Sequence, residues 1–381
     1  MNTDLIQNIK GKFQNNFKDI PLMVFSPGRI NLIGEHTDYN NGFVFPAAID
    51  KGIVVAINKS TETGSKIIAS DLDEVLDLSL EHPKAIENGR WKNYVIGVVA
   101  EIQKKGKNIN NFNMVFGGDI PRGAGLSSSA ALENGIVFGL NELFNLGLTK
   151  KEMIFISQKA EHDYVGVKCG IMDQYASMFG QKDAALLLDC ENLNAKAITI
   201  NLKDYEILLI NSNVKHSLAE SAYNERRLVC EKVAAILNLK SLRAATEKDL
   251  LSLKGQITDS EYQKAIYVLQ ENQRVLDSFD ALKENNIEQF GKLLYRSHSG
   301  MQQQYKISCD ELDFLVDIAK NSDTVIGARM MGGGFGGCTI NIMHKASISK
   351  FVTNIKKAYK ANFGVECSIY NVTISEGTHL I

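Results

Sequence analysis

The sequence predicts an α+β chain of two domains, and three observations carry that prediction. At 381 residues the chain exceeds what one hydrophobic core usually organises. From Leu22 to Ala69 it reads mostly as strands, whereas from about residue 211 to Lys320 it reads as long amphipathic helices. Strand and helix patterns also recur together in both halves, which suits mixed sheets with helices packed on them.

The first half opens its strands with LMVF, FVFPAAI, GIVVAI and KIIAS, punctuated by Gly and Pro. Trp91, Tyr94, Val95, Val98 and Ile102 then recur at helical spacing. The strand-like FNMVF leads through Gly117-Gly118 into a Gly- and Ser-rich loop. Beyond it, Ala130, Glu133, Val137, Leu140 and Phe144 mark a helix with a partly apolar face. Thr149 and Glu152 form a capping-box pattern that opens a helix running to about Tyr164. After EILLINSN come the amphipathic helices, then a glycine-rich turn, the strand CTINIM, a helix and the strand ECSIYNV. The boundary falls near residue 200, giving domains 1–200 and 201–381, with the last strand free to return to the first domain.

Composition narrows the function classes. The formal net charge of −2 leaves no electrostatic footprint for nucleic acid or an anionic membrane. The six cysteines are scattered without CxxC or metal-spaced partners, so they read as reduced thiols. The start, MNTDLIQNIKGKF, lacks the apolar core of a signal peptide, and no apolar run approaches the roughly 20 residues that span a bilayer. A cytoplasmic protein without nucleic-acid or membrane partners is expected.

The run Pro121–Ser129, PRGAGLSSS, lies between a predicted strand and a predicted helix. Gly123 and Gly125 allow backbone conformations closed to other residues and a close ligand approach. Ser127, Ser128 and Ser129 sit where the helix begins, so free N–H groups and the helix dipole favour an anion there. Their hydroxyls add donors to phosphate or a ligand to a cation. A serine N-cap alone needs one serine, not three. The loop is not a Walker A sequence, and HRD and DFG are absent, which excludes P-loop and protein-kinase folds. Gly332–Gly337, GGGFGG, formally matches a dinucleotide fingerprint. The strand-like CTINIM follows it where a helix is required, so it reads as a turn closing against the nucleotide or its acceptor.

The segment SPGRINLIGEHTDYNNGFVFPAAID, Ser26–Asp50, resembles the signature of the galactokinases, a branch of the GHMP small-molecule kinases. The serine loop and MMGGGFGGC, Met330–Cys338, resemble the second and third motifs of that superfamily. AEHDYVGVKCGIMDQ (Ala160–Gln174) and NSNVKHSLAESAYNERR (Asn211–Arg227) extend the likeness over nearly the whole chain. The resemblance implies a ribosomal-S5-like N-terminal domain and a ferredoxin-like C-terminal domain with the active site between them. It further implies an enzyme that uses ATP and Mg²⁺ to phosphorylate the anomeric hydroxyl of α-D-galactose; a monomer is expected, although the sequence itself leaves the oligomeric state open.

Residue reasoning alone leaves Asp173, among Ile171, Met172, Ala176 and Phe179, between a backbone-bonded buried Asp and a catalytic carboxylate. The resemblance implies the second, with Arg29 as its charge partner. It also implies sugar contacts for the turn Glu35, His36, Thr37 and Asp38, and for Gly170 and Tyr223. On the nucleotide side it implies Ser70, Trp91 and the loop residues Gly123, Ala124, Gly125, Leu126, Ser127, Ser128 and Ser129, with core packing open as the alternative for Trp91. Ser129 and Glu161 are the implied magnesium ligands. Two positions depart from the family pattern: Ser26 stands where alanine is usual, and Met331 where threonine is common. N-acetylgalactosamine kinase and a catalytically silent galactose sensor are the rival readings, and the intact GLSSSAA with Asp173 favours an enzyme. Mevalonate and homoserine kinases lack the GRINLIGEHTDY segment.

Overall fold

The computed structural model describes residues 2–121, 123–215 and 219–381. Helix α1 (Thr3–Phe17) precedes β1 (Leu22–Asn31), β2 (Phe43–Val44), β3 (Pro46–Lys59), β4 (Ser65–Ala69) and β5 (Glu74–Leu78). Then come α2 (Trp91–Lys104), β6 (Phe112–Gly118), α3 (Ser128–Phe144), α4 (Lys150–Ala160), α5 (Met172–Phe179), β7 (Ala184–Asp189) and β8 (Asn194–Thr199). The second half starts with β9 (Tyr205–Lys215), α6 (Ala219–Ile236), α7 (Glu247–Ser252), α8 (Asp259–Lys283), α9 (Ile287–Gly300) and α10 (Asp310–Lys320). It ends with β10 (Val325–Met331), β11 (Gly336–His344), α11 (Ile348–Phe363), β12 (Ser368–Asn371) and β13 (His379–Leu380).

Among the described residues the first sheet has the order β13-β1-β3-β6-β4-β5, so the C-terminal strand lies against β1. Its strands alternate faces, as the two-residue period requires. Val24, Val55, Ile57, Met114 and Phe116 pack beneath α2 and α3, while Met23, Phe25, Val54, Ala56 and Val115 pack beneath α1. Ser26, where alanine is usual in the family, hydrogen-bonds Thr378 Oγ1 at 2.9 Å just before β13, a buried contact that the alanine would forgo.

The second sheet, β10-β11-β9-β12, is antiparallel and carries α10 and α11 on one face. Its other face merges into a core shared between the halves, where Leu209, Ile340 and Leu293 meet Ile30, Leu32, Phe45 and Ala47. Met331 is buried in that core. A third sheet has the order β2-β7-β8. The Thr149–Glu152 capping box forms with both reciprocal bonds, and α4 then widens into a π turn over Glu161–Val165. No helix among the described residues is long and apolar enough to cross a membrane.

Candidate active site

Two cavities flank the start of α3. The first, of about 320 Å³, is lined by Arg29, Glu35, His36, Asp38, Glu161, Gly170, Asp173 and Tyr223, and also by Gly332–Gly334 of the glycine-rich turn. The second, of about 200 Å³, is lined by Ile53, Asp71, Trp91, Tyr94, Phe116, Ser128 and Ser129. The serine loop stands between them. The first thus gathers residues implied for the sugar, and the second gathers residues implied for the nucleotide.

At the junction, Arg29 reaches Asp173 through two bonds, Nε to Oδ1 at 2.7 Å and Nη2 to Oδ2 at 3.0 Å. This parallel pairing fixes the plane of the carboxylate as well as its position. A bulge in β1 between Pro27 and Arg29 re-aims the strand here. Asp173 sits in the first turn of α5, and its side chain keeps 28% exposure against 6% for Arg29. The carboxylate therefore faces the cavity while its partner is locked behind it. Burial alone would lower the pKa of Arg29, but Asp173, Glu35 and Asp38 raise it above its ordinary value.

The loop is wired into this pair. Gly123 and Gly125 both take φ of +69°, the left-handed conformation anticipated for them, and Arg122 lies outside the described residues. Ala124 and Leu126 plug the loop into the shared core. Gly125 O accepts from Arg29 Nη1 at 2.5 Å, and Leu126 O accepts from Arg29 N at 3.1 Å. Ser127, itself left-handed, donates its Oγ–H to Asp173 Oδ2. Ser128 and Ser129 are the first two residues of α3, where N–H groups lack helical partners. Trp91 is buried against Phe116, as its core-packing reading has it, donates from Nε1 to Glu74 at 2.8 Å, and also lines the second cavity. Ser70 does not line that cavity, and its backbone is engaged by Phe116 O and Lys12 Nζ.

In the first cavity, Glu35 Oε1 accepts from Gly332 N at 2.9 Å and from Arg329 Nη1 at 3.1 Å. His36 has φ of +61°, and its Nε2 donates to Gly333 O at 3.2 Å. With that tautomer, Nδ1 accepts from Tyr39 Oη at 2.6 Å, and Tyr39 in turn bonds Tyr305 Oη at 2.8 Å. Burial pushes the pKa of His36 down to about 4, so the ring is neutral near pH 7. Thr37 does not line the cavity. Its hydroxyl is spent on Gly34 O and Phe43 O, which shapes the turn. A Cβ at Gly170 would meet Asp38 Oδ2 at 1.9 Å, so glycine is what lets this carboxylate stand there. Tyr223 packs its ring 4.9 Å from that of His36. Of its surrounding segment, His216, Ser217 and Leu218 lie outside the described residues.

The electrostatics are lopsided. Glu35, Asp38, Glu161 and Asp173 line the cavity with Arg29. Burial, with Asp173 next, pushes Asp38 up to about 6 and Glu161 up to about 7. Glu161 opens the π turn, accepts from Gln174 Nε2 at 2.9 Å and is hydrogen-bonded by the Ser129 hydroxyl. An anionic phosphate entering here needs added positive charge. The hydroxyl of Ser129 and carboxylate of Glu161 are hard oxygen donors brought together from separate helices, a set that suits Mg²⁺.

Three family models match the chain: the galactokinase galactose-binding signature over residues 11–59, the GHMP kinases N-terminal domain over 93–181, and the GHMP kinases C-terminal domain over 278–361. The galactokinase of Thermosipho africanus is 43% identical across 93% of this chain and 99% of its own. The chain belongs to the galactokinase family. The galactokinase of Clostridium acetobutylicum is 41% identical over 99% of this chain and 100% of its own length. The crystal structure of Lactococcus lactis galactokinase complexed with galactose superposes with a TM-score of 0.94 at 34% identity, covering 99% of this chain and 100% of that one. Methanococcus jannaschii mevalonate kinase, at 20% identity and a TM-score of 0.65 over 93% and 99% of the chains, shares the fold. These relatives make this galactokinase-family chain an ATP-dependent sugar kinase of two α+β domains.

Sequence reasoning missed Arg329, Glu271 and Cys169. Arg329 is a lone charge in the apolar run VIGARMM, a usable signal. Glu271 sits in a helix rich in charge, and nothing in its neighbours marks it as buried. Cys169 lines the cavity beside Glu161 and appears in sequence only as one of the scattered thiols.

Proposed function

We propose that this chain transfers the γ-phosphoryl group of ATP to the anomeric hydroxyl of α-D-galactose, giving α-D-galactose 1-phosphate and ADP. The observation that carries this is the Arg29–Asp173–Ser127 junction, set between the cavity of Glu35, His36, Asp38 and Tyr223 and the cavity of Trp91, Ser128 and Ser129. Glu35, His36, Asp38 and Tyr223 bind the sugar hydroxyls and present the anomeric oxygen to Asp173. Asp173 accepts the hydroxyl proton as the new C1–O–P linkage forms and the β,γ P–O bond breaks, the electron pair leaving with ADP. Arg29 holds the carboxylate in plane and offsets charge on the moving phosphoryl group. The N–H groups and hydroxyls at the start of α3 hold the phosphates of ATP. Ser129 and Glu161 would hold Mg²⁺, which would neutralise phosphate charge that the cavity carboxylates repel. One chain supplies both walls of the cavity, which supports a monomer as the working unit. The free thiols suit a reducing cytoplasm.

A coupled ADP-release assay with ATP and Mg²⁺ over galactose, N-acetylgalactosamine, glucose and arabinose tests the reading. Galactose-dependent turnover is expected, and Asp173→Asn should lower kcat by roughly 10²–10⁴-fold while galactose still binds. No galactose-dependent ADP release from the wild type overturns the substrate. Near-normal turnover in Asp173→Asn removes that residue as proton acceptor.

A further inference from the structure

Arg329 is the largest of the fully buried side chains among the described residues. It stands on β10, yet most of what it touches belongs to the other half of the chain. Nε donates to Leu32 O at 2.8 Å, Nη2 donates to Asn31 O, and Nη1 donates to Glu35 Oε1 at 3.1 Å and to its neighbour Met330 O at 2.6 Å. Those acceptors run from the end of β1 into the turn that lines the sugar cavity. The oxygen of Glu35 that Arg329 holds also takes the N–H of Gly332, the first glycine of the glycine-rich turn. One guanidinium therefore fixes a cavity-lining carboxylate against a cavity-lining turn from the other half.

A buried ion pair adds little stability over apolar packing of the same volume, because desolvation offsets the attraction. What this geometry supplies is orientation, since a planar fork with separate acceptors has one satisfactory pose. The other end of the same turn is held in a similar way. Glu271 accepts from Gly34 N at 3.0 Å and from Ser297 Oγ at 2.7 Å on one oxygen, and from Arg274 Nε at 2.6 Å on the other. Residues 34 and 35 are thus clamped by α8 and β10 immediately before His36.

We propose that Arg329 is a positioning residue for sugar binding, which aims the Glu35 carboxylate into the cavity and sets the spacing between the sugar turn and the glycine-rich turn. This rests on the reading of the cavity as the galactose site. Among the described residues, no hydrogen bond of the Arg329 side chain reaches the phosphate loop or Trp91, so its effect falls on the sugar and spares the nucleotide.

The test is a double-mutant cycle in the full-length enzyme with Arg329→Lys, Glu35→Gln and the two combined, varying galactose and ATP separately. Lysine keeps the charge but cannot fork between carbonyls and carboxylate. Arg329→Lys should raise the galactose KM by roughly tenfold or more and leave the ATP KM within about twofold. With Glu35 already changed to Gln, the same substitution should add less than about twofold. Galactose binding by calorimetry on the folded fraction gives the same comparison should the variant be unstable. An equal factor in both backgrounds, or parallel changes in both KM values, overturns the positioning role in favour of a merely structural one. Failure of the wild type to turn over galactose would instead strike the substrate reading.

Discussion

At the scale of single residues, His36 combines a left-handed backbone, a neutral buried ring and two committed ring nitrogens. Its stability contribution follows by linkage. The unfolded chain takes up a proton at His36 near the ordinary imidazole value of 6.5, and the folded one only at about 4. The stabilisation is therefore fully present above 6.5 and is lost as pH falls through about 4, at up to about 1.4 kcal/mol per pH unit. Asp38 and Glu161 act in the opposite sense. Their raised values of about 6 and about 7 give stability at low pH that is lost as pH rises through those values. A wild-type profile sums all three, so His36 must be isolated by difference. His36→Asn suits this, because asparagine tolerates a positive φ and does not titrate. Urea unfolding of both proteins from pH 7 to pH 4.5 should show the wild type losing stability relative to the variant on the acid side. Curves that stay parallel would mean that the ring is not held neutral.

At the scale of elements, what the sequence made legible follows burial on one face. The strands under α2 and α3 and the helix Trp91–Lys104 carry dense apolar periods, and they form where predicted. The glycine-rich turn enters a strand rather than a helix, as CTINIM required. Helix α1 was not legible, because TDLIQNIKGKFQNNF buries only Ile9 and Phe13 to completion. Strand β8 is mostly exposed and carries no alternation, and β10 is disguised by its arginine. In the site, residues inside contiguous motifs were readable, whereas Arg329 and Glu271 act across more than 200 positions of sequence and needed the fold. Helix α1 also yields a prediction. Phe13 is fully buried beneath the outer face of the first sheet, and no α1 residue lines either cavity. Phe13→Ala should cost about 3–5 kcal/mol by chemical denaturation and leave kcat and both KM values of the folded enzyme unchanged. A smaller loss would place α1 outside the cooperative unit, and altered kinetics would tie it to the site.

For the whole molecule, the arrangement of cores decides how binding and folding communicate. One core joins Ile30, Leu32, Phe45 and Ala47 of the first half to Phe290, Leu293 and Ile340 of the second. The first cavity, proposed above for the sugar, repeats this pattern in polar form, with Arg29, Glu35 and Asp38 lining it together with Tyr223, Asn224 and Gly332–Gly334. A ligand that fills it contacts both halves at once and has no site in either half unfolded. Galactose at 100 times its Kd should therefore raise the unfolding free energy by about 2.7 kcal/mol. Because both halves share the core, the gain should move one calorimetric transition upward rather than split it. Asp38→Asn at the same galactose concentration should show a smaller shift, since it removes a carboxylate from the cavity wall and leaves the shared core intact. Two transitions, with only one moving on addition of galactose, would show that the halves unfold independently and that the cavity belongs energetically to one of them.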